Sequence, residues 1–460
     1  MLLKTEVYNL CKEEVNISGF KFKFRVNRVI GNFKSQWICI MANLGLYNKV
    51  MNTYSLNNIK FTEYGFKCDI FVVPALNFDM LDSHRDTIQE NLGCLILFNR
   101  NKTSSFINAK FIFNSNNDKQ FKKIEYKEPY KIYIGNDYSG DPILIDMKSY
   151  PHALITGGTR SGKSVMQSVG LANLIANFSP KDVNLYLCQI AKSDLVLFED
   201  AEHTKAFADT LEKNIVILEY LVDRVMLQRD NDIRPYRKKA RASNYHDYNK
   251  LTYTDKMSTI YVVFDEMASL TQTKGDMAEI KTLKERVVFL TDKIAQYGAS
   301  LGVFLVCSLQ RPTADNISSF VKAQSTAVVS FRQNNQKSSE VATDDGKLAL
   351  GLEQREFVYL LASKSSYGIV PWTKDIEIYE LIKPFLKPNH RTIFDDLEKE
   401  GKRQGVQKNK KSIESIGTHF KTEQEILEEN IKSIKGYVPY ENPNGKRIVK
   451  EVKKNKEAVK

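Results

Sequence analysis

The chain has 460 residues, more than one compact hydrophobic core usually holds, so we expect two or three domains. Its net charge of +12 and pI near 9.1 favour a polyanionic partner, either nucleic acid or an anionic membrane surface; the alternative is a lysine-rich surface that contacts only water. The six cysteines have no C-x-x-C spacing, which argues against a disulfide framework. No apolar run approaches the roughly 18 residues that a membrane span needs, which argues against a transmembrane segment. We therefore expect a cytoplasmic protein that is soluble or held at the inner face of the membrane by partners.

Residues 1–125 are predicted to form a small α+β domain without a catalytic pattern. Phe20–Val26 alternates apolar and basic residues, as a strand with one wet face would. Asp69–Pro74 and Phe106–Phe113 are further strand candidates. Met80–Leu92 has the spacing of an amphipathic helix.

A phosphate-loop pattern, G-x-x-x-x-G-K-[ST], lies between a predicted buried strand, Ala153–Thr156, and a predicted helix, Ser164–Ala176. Its glycines let backbone N–H groups point at phosphate oxygens, Lys163 adds a charge at the β- and γ-phosphates, and the Ser164 hydroxyl is of the kind that holds Mg²⁺. A chance match is the alternative, and the strand–loop–helix order argues against it. The predicted ATP-binding residues are Gly157, Gly158, Thr159, Arg160, Ser161, Gly162, Lys163 and Ser164.

After this loop the sequence predicts a second core strand, Val183–Ile190, and a long helix from Asp209 to about Arg229. The polar stretch Arg229–Leu251 is interpreted as a loop. Its five cations between Arg234 and Arg241 could meet a nucleic-acid backbone, and a solvated loop is an equally good interpretation.

An apolar run that ends in two adjacent carboxylates, Ile260–Glu266, follows about a hundred residues after the phosphate loop. In phosphate-loop ATPases a strand-end aspartate holds the magnesium shell and a following glutamate polarises the attacking water. On this pattern Asp265 is the metal carboxylate, with Ser164, and Glu266 is the general base. Many buried strands end in solvated acids, so the interpretation depends on the phosphate loop.

The next predicted helix, Met277 to about Tyr297, leads into the apolar strand Gly302–Ser308 and then to Gln310. An amide at this strand tip is placed to sense the γ-phosphate or to hold the attacking water; a turn residue is the alternative. Ala327–Phe331 and Phe357–Leu361 are two further strand candidates. Strands that alternate with helices predict an α/β fold, a parallel sheet with helices on both faces.

Three segments together resemble the motor of the FtsK/SpoIIIE family of DNA translocases: Gly135–Ser164, the strand ending in Asp265-Glu266, and Cys307–Pro312. The resemblance covers roughly Tyr133 to Leu361. Gly65–Phe98 resembles, more faintly, the family's small domain beside the motor.

The resemblance implies a RecA-like ATPase that assembles as a homo-oligomeric ring, a hexamer, around double-stranded DNA and moves it by hydrolysing ATP. It also implies an arginine from the adjacent subunit at each site. Arg332 is the candidate for this residue, with Arg224 and Arg229 as alternatives. Short relatives in conjugative plasmids and integrative elements couple DNA to an export channel, which implies relaxase and membrane channel proteins as partners.

The sequence therefore divides into the accessory domain, an ATPase motor at residues 126–388, and a basic, partly disordered tail at residues 389–460. Residues 401–460 contain 15 Lys and Arg against 8 Asp and Glu. A tail that contacts DNA or a protein and a tail that only solubilises are equally good interpretations.

Two functions from different classes remain open at this point. The first is a DNA translocase that acts as a conjugative coupling protein. The second is a nucleotide-regulated adaptor that recruits relaxase or channel components; a viral-packaging type of ring ATPase is a narrower rival. The Asp265-Glu266 pair and Gln310 favour active hydrolysis, since a binding module needs no base.

Overall fold

A computed structural model describes residues 2–12, 19–100, 104–114, 120–190, 194–273, 275–310, 313, 316–362 and 364–403. The α-helices are α1 Leu2–Lys12, α2 Gly19–Asn43, α3 Phe78–Asp82, α4 Arg85–Leu92, α5 Lys163–Asn177, α6 Leu211–Glu219, α7 Leu227–Arg237, α8 Tyr245–Tyr248, α9 Ala278–Tyr297, α10 Ser319–Gln324, α11 Gln336–Thr343, α12 Asp375–Ile382 and α13 Ile393–Arg403. The strands are β1 Ser55–Thr62, β2 Gly65–Phe71, β3 Leu95–Arg100, β4 Phe106–Ile112, β5 Lys131–Asn136, β6 Pro142–Asp146, β7 Ala153–Thr156, β8 Val183–Cys188, β9 Thr204–Ala208, β10 Thr259–Phe264, β11 Val303–Leu309, β12 Ala327–Phe331, β13 Glu356–Leu361 and β14 Lys364–Ile369.

The amino-terminal part of the chain is built on a four-stranded antiparallel sheet in the order β1-β2-β4-β3. One face of this sheet buries its aromatic residues against α2, where Phe33 stacks on Phe66 with ring centroids 4.8 Å apart. The predicted strand Phe106–Phe113 is confirmed as β4, and Asp69–Pro74 overlaps the end of β2.

The predicted strand Phe20–Val26 is wrong, because these residues form the first turns of α2. The buried residues of the described part of that helix, Val29, Phe33, Trp37, Ile40 and Met41, recur at spacings of three and four positions, which is a helical period. This burial outweighs the short alternating pattern at the start of the helix. The predicted helix Met80–Leu92 is present but divided into α3 and α4.

The predicted motor region, residues 126–388, contains a ten-stranded sheet in the order β6-β5-β14-β13-β12-β7-β11-β10-β8-β9. The strands from β12 to β9 pair in parallel, and the mainly parallel α/β fold is confirmed. All residues of β7, β10 and β11 are buried, so both faces of the sheet are covered. The strands from β13 to β6 run antiparallel, which the alternation of strands and helices did not predict.

The segment interpreted as a loop, Arg229–Leu251, is helical up to Arg237 and again in α8. A π-helical stretch, Tyr220–Met226, joins α6 to α7 without a break. Two of the cations proposed for a nucleic-acid backbone, Arg234 and Arg237, pair with Asp230 at 2.6 and 3.6 Å. Part of the positive charge of this segment is therefore neutralised within the chain.

The predicted tail, from residue 389 on, contains α13, whose first residue, Ile393, is buried in the same hydrophobic core as the strands of the ten-stranded sheet. The part of the predicted tail beyond Arg403 lies outside the described residues. Among the helices in the described part of the chain, none combines the length and apolarity that a bilayer crossing requires.

A buried histidine at the start of β7 makes the stability of the motor depend on pH. The Nδ1 atom of His152 accepts a hydrogen bond from the Leu305 N–H at 3.0 Å, and burial lowers the pKa of His152 from 6.5 to about 4. As the pH falls, His152 therefore takes up a proton in the unfolded chain before it does so in the folded chain. The free energy of unfolding decreases as a result between about pH 6.5 and 4.

His152→Asn should remove this dependence, because Asn retains an acceptor and tolerates the φ of 60° at this position. We expect the loss of unfolding free energy between pH 7.5 and 5 to be about 2 kcal/mol smaller in the variant than in the wild type. Denaturant unfolding at both pH values measures it. Parallel pH profiles for the two proteins would contradict the assignment.

Candidate active site

The parallel strands bring the predicted functional segments to one edge of the sheet. Thr156 at the end of β7 lies beside Leu309 of β11 and Ser330 of β12. Phe264 at the end of β10 lies beside Cys307 of β11. The phosphate loop, the two carboxylates and Gln310 all follow these ends, and ligands of open α/β sheets bind at this edge.

The conformation of the phosphate loop requires glycine at the two glycine positions of the pattern, 157 and 162. A Cβ on Gly157 would lie 2.6 Å from the Phe331 Cβ, and a Cβ on Gly162 would lie 3.0 Å from the Arg355 Cα. Gly162 also has a φ of 118°, which L side chains rarely adopt. The loop is held from both sides, because the Gly157 N–H donates to the Leu309 carbonyl at 3.1 Å and the Arg355 N–H donates to the Ser161 carbonyl at 2.8 Å.

Lys163 and Glu266 meet in the centre of this edge. The lysine Nζ donates to a Glu266 carboxylate oxygen at 3.4 Å, and the two side chains are only 5% and 11% exposed. The backbone N–H of Gln310 donates to both Glu266 oxygens, at 3.2 and 3.1 Å. The structure thus brings the predicted base to the phosphate loop. The recorded Gln310 contact uses its main chain, so the role of its amide side chain stays a prediction.

The oxygen atoms suited to Mg²⁺ lie beside this pair. The Ser164 hydroxyl donates to the Asp194 carboxylate at 2.7 Å, and Asp265 is fully buried directly after β10. Within the described residues there is no group of three or more His, Cys, Asp or Glu side chains that could hold a metal by itself. The Ser164 hydroxyl and the Asp265 carboxylate are oxygen ligands of the kind that Mg²⁺ takes together with substrate phosphates.

The three arginine candidates occupy different environments. Arg332 is exposed after β12, and its carbonyl accepts a hydrogen bond at 3.5 Å from Gly158 in the phosphate loop of the same chain. Arg229 is 8% exposed and donates to the Leu301 carbonyl at 2.6 Å; burial lowers its pKa to about 10. Arg224 is exposed on the π-helical stretch. Arg229 therefore makes structural contacts within its own chain, and Arg332 lies beside the phosphate loop of its own chain.

Sequence reasoning missed several residues that shape this edge. Gln333, 5% exposed, donates to the hydroxyls of Thr156 and Ser330 at 3.2 and 3.1 Å and so ties the ends of β7 and β12 together. Arg355 supports the loop through its main chain, and Asp194 reaches Ser164. Of these residues, only Asp194 could have been found from the sequence, because it is a carboxylate that follows soon after a predicted core strand.

Comparisons with known proteins agree with this geometry. Residues 114–314 match the model of the FtsK/SpoIIIE family. The DNA translocase FtsK of Leptospira interrogans is 26% identical over 292 residues, which cover 60% of this chain and 29% of that protein. The DNA translocase FtsK of Campylobacter jejuni is 27% identical over 274 residues, covering 59% of this chain and 28% of that protein. The chain thus spans less than a third of the length of these relatives.

Among solved structures, the pCW3 conjugation coupling protein TcpA, in its monomer form with ATPγS, resembles this chain with a TM-score of 0.51. It is 20% identical, and the match covers 76% of this chain and 99% of that chain. At this identity the likeness concerns the fold.

Proposed function

We propose that the chain hydrolyses ATP and uses the energy to move double-stranded DNA, since its residues 114–314 match the model of the FtsK/SpoIIIE family. The observation that carries the proposal is the placement of Glu266 between Lys163 of the phosphate loop and the backbone N–H of Gln310. A carboxylate held at a phosphate loop in this way is suited to accept a proton from water.

In the proposed reaction the phosphates of ATP take the place of Glu266 as the partner of Lys163. The backbone N–H groups of the loop and the ammonium of Lys163 bind the β- and γ-phosphates. Glu266 then accepts the proton of the attacking water while Gln310 orients that carboxylate from the end of β11. Ser164 and Asp265 would hold Mg²⁺, which neutralises negative charge on the phosphates when it is bound.

The substrate and the setting are proposed from the relatives and from charge. The curated relatives are DNA translocases, and the net charge of +12 suits a polyanion. The fold of the TcpA coupling protein supports a role in conjugative transfer, in which the chain would work in the cytoplasm as a ring, a hexamer, with relaxase and membrane channel proteins as partners. An arginine of the neighbouring subunit, with Arg332 as the candidate, would complete each site.

Double-stranded DNA should stimulate hydrolysis by the full chain, and the stimulation should weaken steeply with salt. If about six phosphates are contacted, the apparent DNA affinity falls by about 10³-fold between roughly 50 and 200 mM salt, because counterions are released on binding. Steady-state ATPase rates at increasing DNA and salt concentrations measure it, with Glu266→Gln as the control for contaminating activity.

Hydrolysis that is lost in Glu266→Gln but does not respond to DNA would contradict the translocase proposal. That result would favour the nucleotide-regulated adaptor, which needs the ATP site and not the polymer.

A further inference from the structure

A second group of residues reaches the edge of the sheet that carries the phosphate loop, from the antiparallel side. Because β13 starts and β14 ends at this edge, with Glu356 paired to Ile369, the residues just before β13 and just after β14 lie next to the loop. Arg355 is in direct contact with it, since its N–H donates to the Ser161 carbonyl at 2.8 Å.

Arg355 and Trp372 form a stacked pair at this place. The guanidinium carbon lies 4.3 Å from the centre of the Trp372 ring, within the range of a cation–π contact. The Arg355 Nη1 donates to the Val370 carbonyl at 2.9 Å, and the Trp372 carbonyl accepts from the Phe121 N–H at 2.9 Å. Both residues are thus fixed, although Arg355 has a positive φ of 73° that costs conformational energy.

Trp372 as a whole residue remains 51% exposed, so part of its surface is accessible to a second flat group. Large aromatic side chains are usually buried for the most part, and this one is held by backbone contacts in an open position. We call this pair the shelf: an exposed ring with a cation stacked on it, joined to the phosphate loop through Arg355.

The direction of a bound nucleotide follows from the positions of the strands. Glu266 and Gln310 follow β10 and β11, on one side of β7, and they mark where the γ-phosphate must lie. The strands β12, β13 and β14 lie on the other side of β7. A triphosphate with its γ end at Glu266 therefore extends its nucleoside toward Arg355 and Trp372.

We infer that Trp372, with Arg355 stacked on it, is the shelf that receives the purine base of the bound nucleotide. Trp372 contacts the base, and Arg355 acts as a positioning residue for the indole and for the loop at Ser161. The inference rests on the proposed ATP site and adds to it the residues that distinguish a nucleotide from a bare triphosphate.

Calorimetric titration of the full chain with ATP and with inorganic tripolyphosphate distinguishes binding by the phosphate loop from binding of the base at Trp372. Trp372→Ala should raise the Kd for ATP about tenfold and leave the Kd for tripolyphosphate unchanged, because only the stacking contact is lost. Trp372→Phe, which keeps a flat ring, should bind ATP within about threefold of the wild type. Ile376→Ala is the matched control, since this side chain on α12 is also apolar and 58% exposed.

Failure of the base-stacking inference and failure of the proposed ATP site give different results in these titrations. A wild type that binds ATP, together with a Trp372→Ala variant that binds it as well as Ile376→Ala does, overturns the shelf and leaves the ATP site standing. A wild type that binds neither ATP nor tripolyphosphate overturns the ATP site itself.

Tryptophan fluorescence gives an independent readout. The chain has two tryptophans, and Trp37 is 1% exposed in the amino-terminal sheet domain, where its Nε1 donates to the Tyr54 carbonyl at 2.7 Å. A change of emission on adding ATP should therefore come from Trp372, be absent with tripolyphosphate, and disappear in Trp372→Phe. An ATP-dependent change that persists in Trp372→Phe overturns the inference.

Discussion

Glu266→Gln is expected to lower the rate of ATP hydrolysis by about 10² to 10⁴-fold while ATP binding is retained. The amide has the shape of the carboxylate, and its oxygen can still accept the Gln310 N–H that lies 3.1 to 3.2 Å from the Glu266 oxygens. It cannot take a proton from water. The ammonium of Lys163 also loses a competing carboxylate at 3.4 Å, so ATP should bind at least as tightly as in the wild type. Single-turnover hydrolysis and calorimetric binding measure the two quantities separately.

Glu279→Gln is the matched control, because Glu279 is an exposed glutamate in the first turn of α9. It should leave both quantities unchanged. If Glu266→Gln weakens ATP binding by the same factor as it slows hydrolysis, Glu266 organises the loop and is not the base.

The core strands of the motor could be predicted from the sequence because they are buried on both faces. Continuous apolar runs result, such as those of β10 and β11, and a parallel order places their ends at one edge. Lys163 and Glu266, separated by 103 positions in the chain, could therefore be expected in one site, and the structure brings them to 3.4 Å.

Short alternating patterns were less reliable, as Phe20–Val26 shows. A pattern of seven residues fits the start of an amphipathic helix as well as a strand, and the decision lies in later residues such as Phe33 and Trp37, which pack on the neighbouring sheet. Likewise, the polar composition of Arg229–Leu251 suggested a loop, although the residues up to Arg237 are helical and Pro235 lies within the last turns of that helix.

The nucleobase side of the site could not be predicted, for a different reason. Arg355 and Trp372 are 17 positions apart, and they meet only because β13 and β14 form an antiparallel hairpin between them. Neither residue belongs to a motif with a fixed spacing to Gly162. The phosphate contacts can be predicted because one short sequence motif determines the conformation of the loop that makes them. The proposed base contacts depend instead on where the β13–β14 hairpin lies in the sheet, which no short motif specifies.

Lys163→Ala is expected to weaken ATP binding by about 10- to 100-fold, the loss of a charge-assisted hydrogen bond, and to reduce hydrolysis below detection. The side chain is the first residue of α5 and is 5% exposed, so the hydrogen bonds it would make to phosphate are charge-assisted and poorly screened by water. Calorimetric titration with ATP measures the loss. An unchanged Kd would contradict the phosphate-loop assignment.

The same substitution should also destabilise the fold, and this effect can be separated from the loss of binding. Removing the ammonium beside the Glu266 carboxylate, which is only 11% exposed, should lower the free energy of unfolding by about 3 kcal/mol. Adding Glu266→Gln should recover part of that stability without recovering ATP binding, because the double variant has neither charge. Lys284→Ala is the control, since Lys284 is another buried lysine, paired with Asp276 at 3.0 Å. It should lose stability and keep ATP affinity, which shows that weak binding in Lys163→Ala reflects the missing phosphate contact and not a loosened motor.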